Sequence, residues 1–238
     1  MLFLHEVHSV VGEHEEDFED AFREGWMPLL ADSPDADARL LWYLNQAHGS
    51  GPAYNVVTVT AVRDGAAWER LASSLTDGPL SDWRRSVDAM RHRVEGKLLV
   101  PVDWSPLQAV DLDAVPVDGA PHELSLYMED TGWPSAPLDD YIAFWDSGYF
   151  QPMSRPGPGG RRILQIDACF QPAFGTGRRP EAMLLQKILS YDLLLGLIAA
   201  PPEYDPTTWP GSYMHDGLDY RDQWRSKLLR TAAWSPLH

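Results

Sequence analysis

The chain has one cysteine, Cys169, in 238 residues. That excludes an internal disulfide and a cysteine zinc cluster. Basic residues are scarce: 19 Lys and Arg against 35 Asp and Glu leave a formal charge of −16. Phosphate binding needs a basic footprint, so no nucleic-acid partner is expected. Anionic membrane surfaces are disfavoured for the same reason, and the acidic side chains read as solvated faces. No apolar run approaches the roughly 18 residues needed to span a bilayer. Met1-Leu2-Phe3-Leu4 leads directly into His5-Glu6 without a basic or apolar leader, so a cytoplasmic location is expected. The sequence also lacks a Gly-x-Gly-x-x-Gly after a strand, a Walker motif and a Gly-x-Ser-x-Gly. Nucleotide cofactors and serine hydrolysis therefore have no support.

Aromatic residues, by contrast, are plentiful, with 10 Trp and 9 Tyr. Side chains of this kind bury large areas, and they either fill a core or line a cavity for flat, greasy ligands. One stretch also occurs twice. Lys97-Leu98-Leu99-Val100-Pro101-Val102-Asp103-Trp104-Ser105-Pro106-Leu107 returns as Lys227-Leu228-Leu229-Arg230-Thr231-Ala232-Ala233-Trp234-Ser235-Pro236-Leu237, with 7 of 11 positions identical at an offset of 130 residues. A period that long is not a solenoid repeat and reads as one small unit duplicated and fused.

Hydrophobic periodicity gives both units the same order of elements. Strands are expected over 2–9, 39–47, 54–62 and 98–102, with a helix over 13–30 that carries Phe18, Phe22, Trp26 and Leu29 on one face. Two further helical runs fall between the third and fourth strands. The first has Trp68, Leu71 and Leu75 on its face, the second Leu80, Trp83, Val87, Met90 and Val94. Residues 108–121 have no period and form the linker between units 1–107 and 122–238. The order then restarts with strands over 123–130, 162–170 and 181–189, helices over 137–150, 191–200 and 217–228, and a last strand ending at Trp234. A Pro- and aromatic-rich insertion over 201–213 has no counterpart in the first unit. Each βαββαβ unit leaves one sheet face bare, and the cheapest cover for it is the other unit.

The opening Leu4-His5-Glu6-Val7, the helix end Gly25-Trp26-Met27-Pro28-Leu29, the run Tyr54-Asn55-Val56-Val57-Thr58-Val59 and the closing Trp104-Ser105-Pro106 resemble the dimeric α/β-barrel superfamily, and the first half resembles its NIPSNAP-type members in particular. The resemblance implies an α+β fold: two tandem ferredoxin-like βαββαβ units packing sheet to sheet as an intrachain dimeric α/β barrel. That superfamily contains cofactor-independent monooxygenases of polyketide phenols, lactone isomerases, polyketide cyclases, and haem proteins of the chlorite dismutase and aldoxime dehydratase type. Fold alone does not choose among them.

Strand alternation nominates residues for the enclosed space. If the more apolar face of the first strand lies under helices, Glu6 and His8 point inward, and a lumen His beside a carboxylate is a general base. Tyr43 and Asn45 share a face of the second strand and are candidate oxyanion donors. Asp167, sharing a face with Gln165 and Cys169, is a candidate inward carboxylate. Tyr127 and Glu129 are expected inward in the second unit. Trp42, His48, Tyr54 and Trp104 are placed at the cavity's walls and mouths as substrate contacts. His5 and His8 diverge and Glu6 with His8 supplies two ligands, so no metal is expected and no cofactor is assigned.

The expected function is a cofactor-independent enzyme of monooxygenase, isomerase or cyclase type, acting by general-base enolisation on an aromatic or polyketide-like small molecule in the barrel cavity. The alternatives are a non-catalytic protein that binds a hydrophobic ligand or serves as a scaffold, and a haem or metal protein of the same fold. A hydrophobic or aromatic small molecule is the expected partner, with a homodimer as an open possibility.

Overall fold

A computed structural model describes residues 1–33, 37–175, 180–199 and 208–238. The insertion expected over 201–213 falls partly outside these residues. The first half runs β1 (Leu2–Val10), α1 (Glu15–Asp20), a π-helical turn (Ala21–Trp26), α2 (Met27–Asp32), β2 (Ala38–Gln46), β3 (Asn55–Val62), α3 (Gly65–Asp77), α4 (Ser81–Ala89) and β4 (Arg91–Pro101). The second runs β5 (Leu126–Pro134), α5 (Leu138–Trp145), a π-helical turn (Asp146–Phe150), α6 (Gln151–Met153), β6 (Leu164–Phe174), β7 (Ala182–Ile188), α7 (Tyr191–Ile198), α8 (Tyr213–Asp216) and β8 (Arg221–Thr231). Among the described residues no helix is long and apolar enough to cross a membrane.

The strands close into one barrel in the order β1-β3-β2-β8-β5-β7-β6-β4. Each half contributes four consecutive strands. The seams are β2 with β8, from Leu44 opposite Thr231, and β4 with β6, from Leu99 opposite Pro172. The expected α+β barrel built within one chain is therefore the observed fold. A closed barrel has no exposed edge, which removes the aggregation hazard of two open sheets.

Two expected helices are shorter than the periodicity suggested. The apolar spacing Trp83, Val87, Met90, Val94 reads as one helix, yet α4 stops at Ala89 and Val94 belongs to β4, which pairs with β1 back to Arg91. Likewise residues 221–228 are strand, pairing with β5. Buried β1 and β5 need hydrogen-bond partners on both sides, and that requirement overrides a short helical pattern.

The repeated stretch holds the halves together. Val102 N–H donates to the Cys169 carbonyl and Ser105 Oγ accepts from Cys169 N–H, while Ala232 N–H donates to the Tyr43 carbonyl and Ser235 Oγ accepts from Tyr43 N–H. Each copy of Trp-Ser-Pro-Leu thus grips the other half. Trp104 stacks on Phe150 and donates to the Ile142 carbonyl; Trp234 lies 5.0 Å from the Tyr43 ring and donates to Glu19.

The barrel interior, expected to hold the substrate, is instead a packed core of Phe3, Leu41, Trp42, Leu44, Val57, Val59, Leu99, Phe170 and Leu185, joined by Leu112 and Val115 of the linker. Two ion clusters lie within it. Glu129 accepts from Lys227 at 2.6 Å and bonds His5 Nε2 at 2.7 Å, and Lys97 pairs with Glu181, which also accepts from Trp133 Nε1 at 2.8 Å. Burial alone would raise the Glu129 pKa, but Lys227 and His5 hold it well below the ordinary carboxylate range.

Candidate functional site

An apolar cleft with convergent polar groups lies outside the barrel, between the outer face of the second sheet and its helices. It encloses about 360 Å³, walled by Tyr141, Trp145, Tyr149, Leu194, Tyr213 and Trp224. Helix α5 starts after Pro137 with Asp139 and Asp140 in its first turn, where their charge complements the helix dipole. The π-helical turn that follows puts Gly148 and Tyr149 on the cleft. Extra-residue turns of this kind recur at functional sites.

Three polar groups reach into the cleft. Arg221, only 3% exposed, stands over the rings of Tyr213 (4.9 Å) and Trp224 (4.6 Å). Its Nη2 lies 3.9 Å from Met214 Sδ, and its Nη1 has no hydrogen-bond partner. The buried Tyr141 hydroxyl is also unpartnered. Two glycines make the room: a Cβ at Gly132 would lie 2.1 Å from the Tyr141 hydroxyl, and one at Gly217 would lie 2.1 Å from Arg221 Nη1. Asp130 is the third group. It accepts from Gln186 Nε2 at 2.9 Å and from Ser226 Oγ, and Gln186 Oε1 in turn accepts from the Tyr149 hydroxyl at 2.7 Å. Burial raises the Asp130 pKa despite these bonds, which brings it closer to the range of a useful general base.

An unsatisfied buried donor costs about 1–3 kcal/mol, and more when charged. With Trp145 Nε1, which is also buried without a partner, such donors in one aromatic cleft fit an oxygen-bearing flat ligand. For a haem the fit is poor. The cleft lining contains no His or Cys. Burial pushes the phenols of Tyr141, Tyr149 and Tyr213 up, which disfavours the phenolate an iron would require. Among the described residues no group of three or more His, Cys, Asp or Glu could hold a metal ion.

The nominated residues scatter. Glu6 and His8 lie on the helix-covered side of β1, the reverse of the expectation: His8 packs against Phe18 and Phe22, and Glu6 lines a cleft with Trp26 and Trp83. The residue facing inward is His5. Helix side and lumen are equally apolar here, so hydrophobicity did not distinguish the faces. His8 Nε2 lies 3.0 Å from Thr58 Oγ1 and its Nδ1 2.7 Å from Arg91 Nη1; burial and Arg91 push its pKa well down. Tyr43 also faces the helices, so it is not an oxyanion donor to the lumen; its hydroxyl is buried without a partner. Asn45 sits at the β2–β8 seam, opposite Arg230. His48 is exposed in a turn, and Tyr54, 49% exposed with φ 58°, covers Gly12. Trp104 belongs to the clasp between the halves. Glu129 does face inward as expected, but as half of a buried ion cluster.

Trp42, Tyr127 and Asp167 do meet, at a cleft of about 500 Å³ at one barrel mouth. Trp42 Nε1 donates to the Tyr127 hydroxyl at 3.4 Å and Gln165 Nε2 donates to Asp167 at 2.7 Å. Asp167 is there because β6 bulges between Ile166 and Ala168, which also turns Cys169 to the helix side. Burial raises the pKa of Asp167.

Asp130, Tyr141 and Arg221 were missed. The offset of 130 that aligns the repeat also aligns Arg221 with Arg91, and that pairing was the available signal.

No family's sequence profile matches this chain, and no curated protein matches it by sequence. Solved structures do match. An anthrone oxidase-like protein superposes with a TM-score of 0.62 at 7% identity, over 97% of this chain and 91% of that one. Two proteins described as proposed monooxygenases also match. The one from Fusobacterium nucleatum subsp. nucleatum has a TM-score of 0.57 at 8% identity, over 97% of this chain and 91% of that one. The one from Lactobacillus acidophilus NCFM has a TM-score of 0.55 at 9% identity, over 99% and 97%. These likenesses show the fold alone, an eight-stranded α+β barrel closed within one chain.

Proposed function

We propose that this chain is a cofactor-independent enzyme of the monooxygenase, isomerase or cyclase type, and that it works on an aromatic or polyketide-like phenol held in the cleft of its second half. The reading is carried by Arg221 Nη1 and the Tyr141 hydroxyl, two buried donors without partners in an aromatic cleft lined also by Asp130. The Asp130 carboxylate takes the acidic proton of the bound phenol or enol and becomes the carboxylic acid. The electron pair left behind resides on the ligand oxygen, where Arg221 and Tyr141 donate hydrogen bonds to it. Fixed donors aimed at developing charge in a dry site are the largest usual contribution to catalysis. The resulting electron-rich enolate is the species that reacts with oxygen, isomerises or cyclises. The anthrone oxidase-like and monooxygenase-like neighbours support the first of these outcomes.

A second reading, a protein that binds such a ligand without turning it over, is favoured by the hydrogen bonds that Asp130 already accepts from Ser226 and Gln186. Titrating the protein with anthrone, and following the phenolate absorbance and oxygen uptake, separates the two. Turnover that Asp130→Asn abolishes while binding persists supports the enzyme. Binding without turnover in the unmodified chain leaves the binding protein, and no binding overturns both.

A further inference from the structure

The first half has a cleft in the corresponding place, about 330 Å³, lined by Trp26, Trp68, Leu75, Trp83 and Glu6. Its polar groups are wired the opposite way. Arg91 stands opposite Val10 on the neighbouring strand, as Arg221 stands opposite Pro134. Glu6 stands opposite Gly96, as Asp130 stands opposite Ser226. In the second half the carboxylate is bonded and the guanidinium has a free edge. In the first half the guanidinium is spent. Arg91 Nη1 donates to His8 Nδ1 at 2.7 Å and its Nε to Asp88 at 2.9 Å. Glu6 keeps no comparable bond. Gly96 has no hydroxyl to offer it, and Thr60, standing where Gln186 does, accepts from Trp26 Nε1 at 3.3 Å and makes no bond to Glu6.

Trp26 and Trp83 stack at 4.3 Å, and the Trp83 N–H donates to the Ala21 carbonyl at 2.8 Å. These two indoles therefore present ring surface, and the Glu6 carboxyl beside them accepts no hydrogen bond. Burial raises the Glu6 pKa, and Arg91 and Arg84, which share the single carboxylate of Asp88, oppose that rise; Lys97 pairs with Glu181. We propose that the first-half cleft binds an organic ammonium, its nitrogen on the Glu6 carboxylate and its apolar body against Trp26, Trp68 and Trp83. Ring faces attract such cations, and a carboxylate without a donor needs one. The proposal does not depend on the function assigned to the second half.

Phenethylammonium chloride is the probe, with 2-phenylethanol as its neutral counterpart, titrated calorimetrically into the intact chain at neutral pH. The ammonium is expected to bind about tenfold or more tighter than the alcohol, in line with a charge-assisted hydrogen bond. Glu6→Gln should remove that preference, and Gly96→Ser, which supplies the hydroxyl that ties Asp130 down, should weaken ammonium binding with the fold intact. A Cβ at Gly96 lies 3.7 Å from Glu6 Cγ, an ordinary contact. Arg221→Gln should leave ammonium binding unchanged. Equal affinity for the two probes, no binding of the ammonium, binding unaffected by both Glu6→Gln and Gly96→Ser, or loss of binding in Arg221→Gln would each overturn the proposal.

Discussion

The two halves share a fold and place a carboxylate and an arginine at matching strand positions, yet their outer clefts have opposite polarity. His8 is what separates them. In the first half its Nδ1 receives Arg91; in the second its position is Gly132, where the Tyr141 phenol occupies the space a side chain would fill. Losing that imidazole leaves Arg221 with a free edge. Gaining Ser226 and Gln186 ties down Asp130. Three differences between the halves, Gly132 for His8, Ser226 for Gly96 and Gln186 for Thr60, accompany the change in which polar group is left without a bond.

The interior breaks the symmetry too, and there the largest effect is expected. Glu129→Gln would leave Lys227 buried without its counter-charge, at a cost of about 3–5 kcal/mol in chemical denaturation. Acid should act on the same group. Its folded pKa is depressed, so its contribution to stability is complete above the carboxylate pKa of the unfolded chain and is lost as pH falls toward the folded value. Glu129→Gln should therefore flatten the acid limb of a stability–pH profile.

The clasps come next. Trp234→Ala removes a buried indole and should cost about 3–5 kcal/mol, whereas Trp104→Ala, at a more exposed ring, should cost less. Equal losses in thermal unfolding would mean the two clasps are equivalent. Gly132→Ala, which drives a methyl into the Tyr141 hydroxyl, should cost about 1–3 kcal/mol and abolish ligand binding in the second cleft without touching the first. The smallest change is of the opposite sign. The folded Glu6 pKa is raised by burial, so its ionised form opposes folding above that pKa. Glu6→Gln should raise the melting temperature slightly at neutral pH and have no effect once Glu6 is protonated.

Much of the barrel is legible in the residues. The alternation in β5 puts Tyr127 and Glu129 inside, where they are, because Leu126 and Met128 make the other face the more apolar one at that end of the strand. The same rule inverts β1, since Phe3 and Val7 face a lumen as greasy as the helix layer that covers Leu4. Asp167 reaches the barrel mouth through a bulge, and a bulge leaves no mark in periodicity. The far ends of β4 and β8 are exposed and carry apolar residues at helical spacing, so only pairing with β1 and β5 identifies them as strand.

What the chain's own residues determine is the duplication, the clasp motif and the absence of a disulfide, because each is a matter of which side chains are present and at what spacing. Which face of a strand becomes the inside is decided by closure of the barrel, because both faces of such a strand are apolar. Which buried arginine is left without a partner is decided by strand pairing within each half, since His8 and Arg91 are 83 residues apart and meet only when β1 pairs with β4.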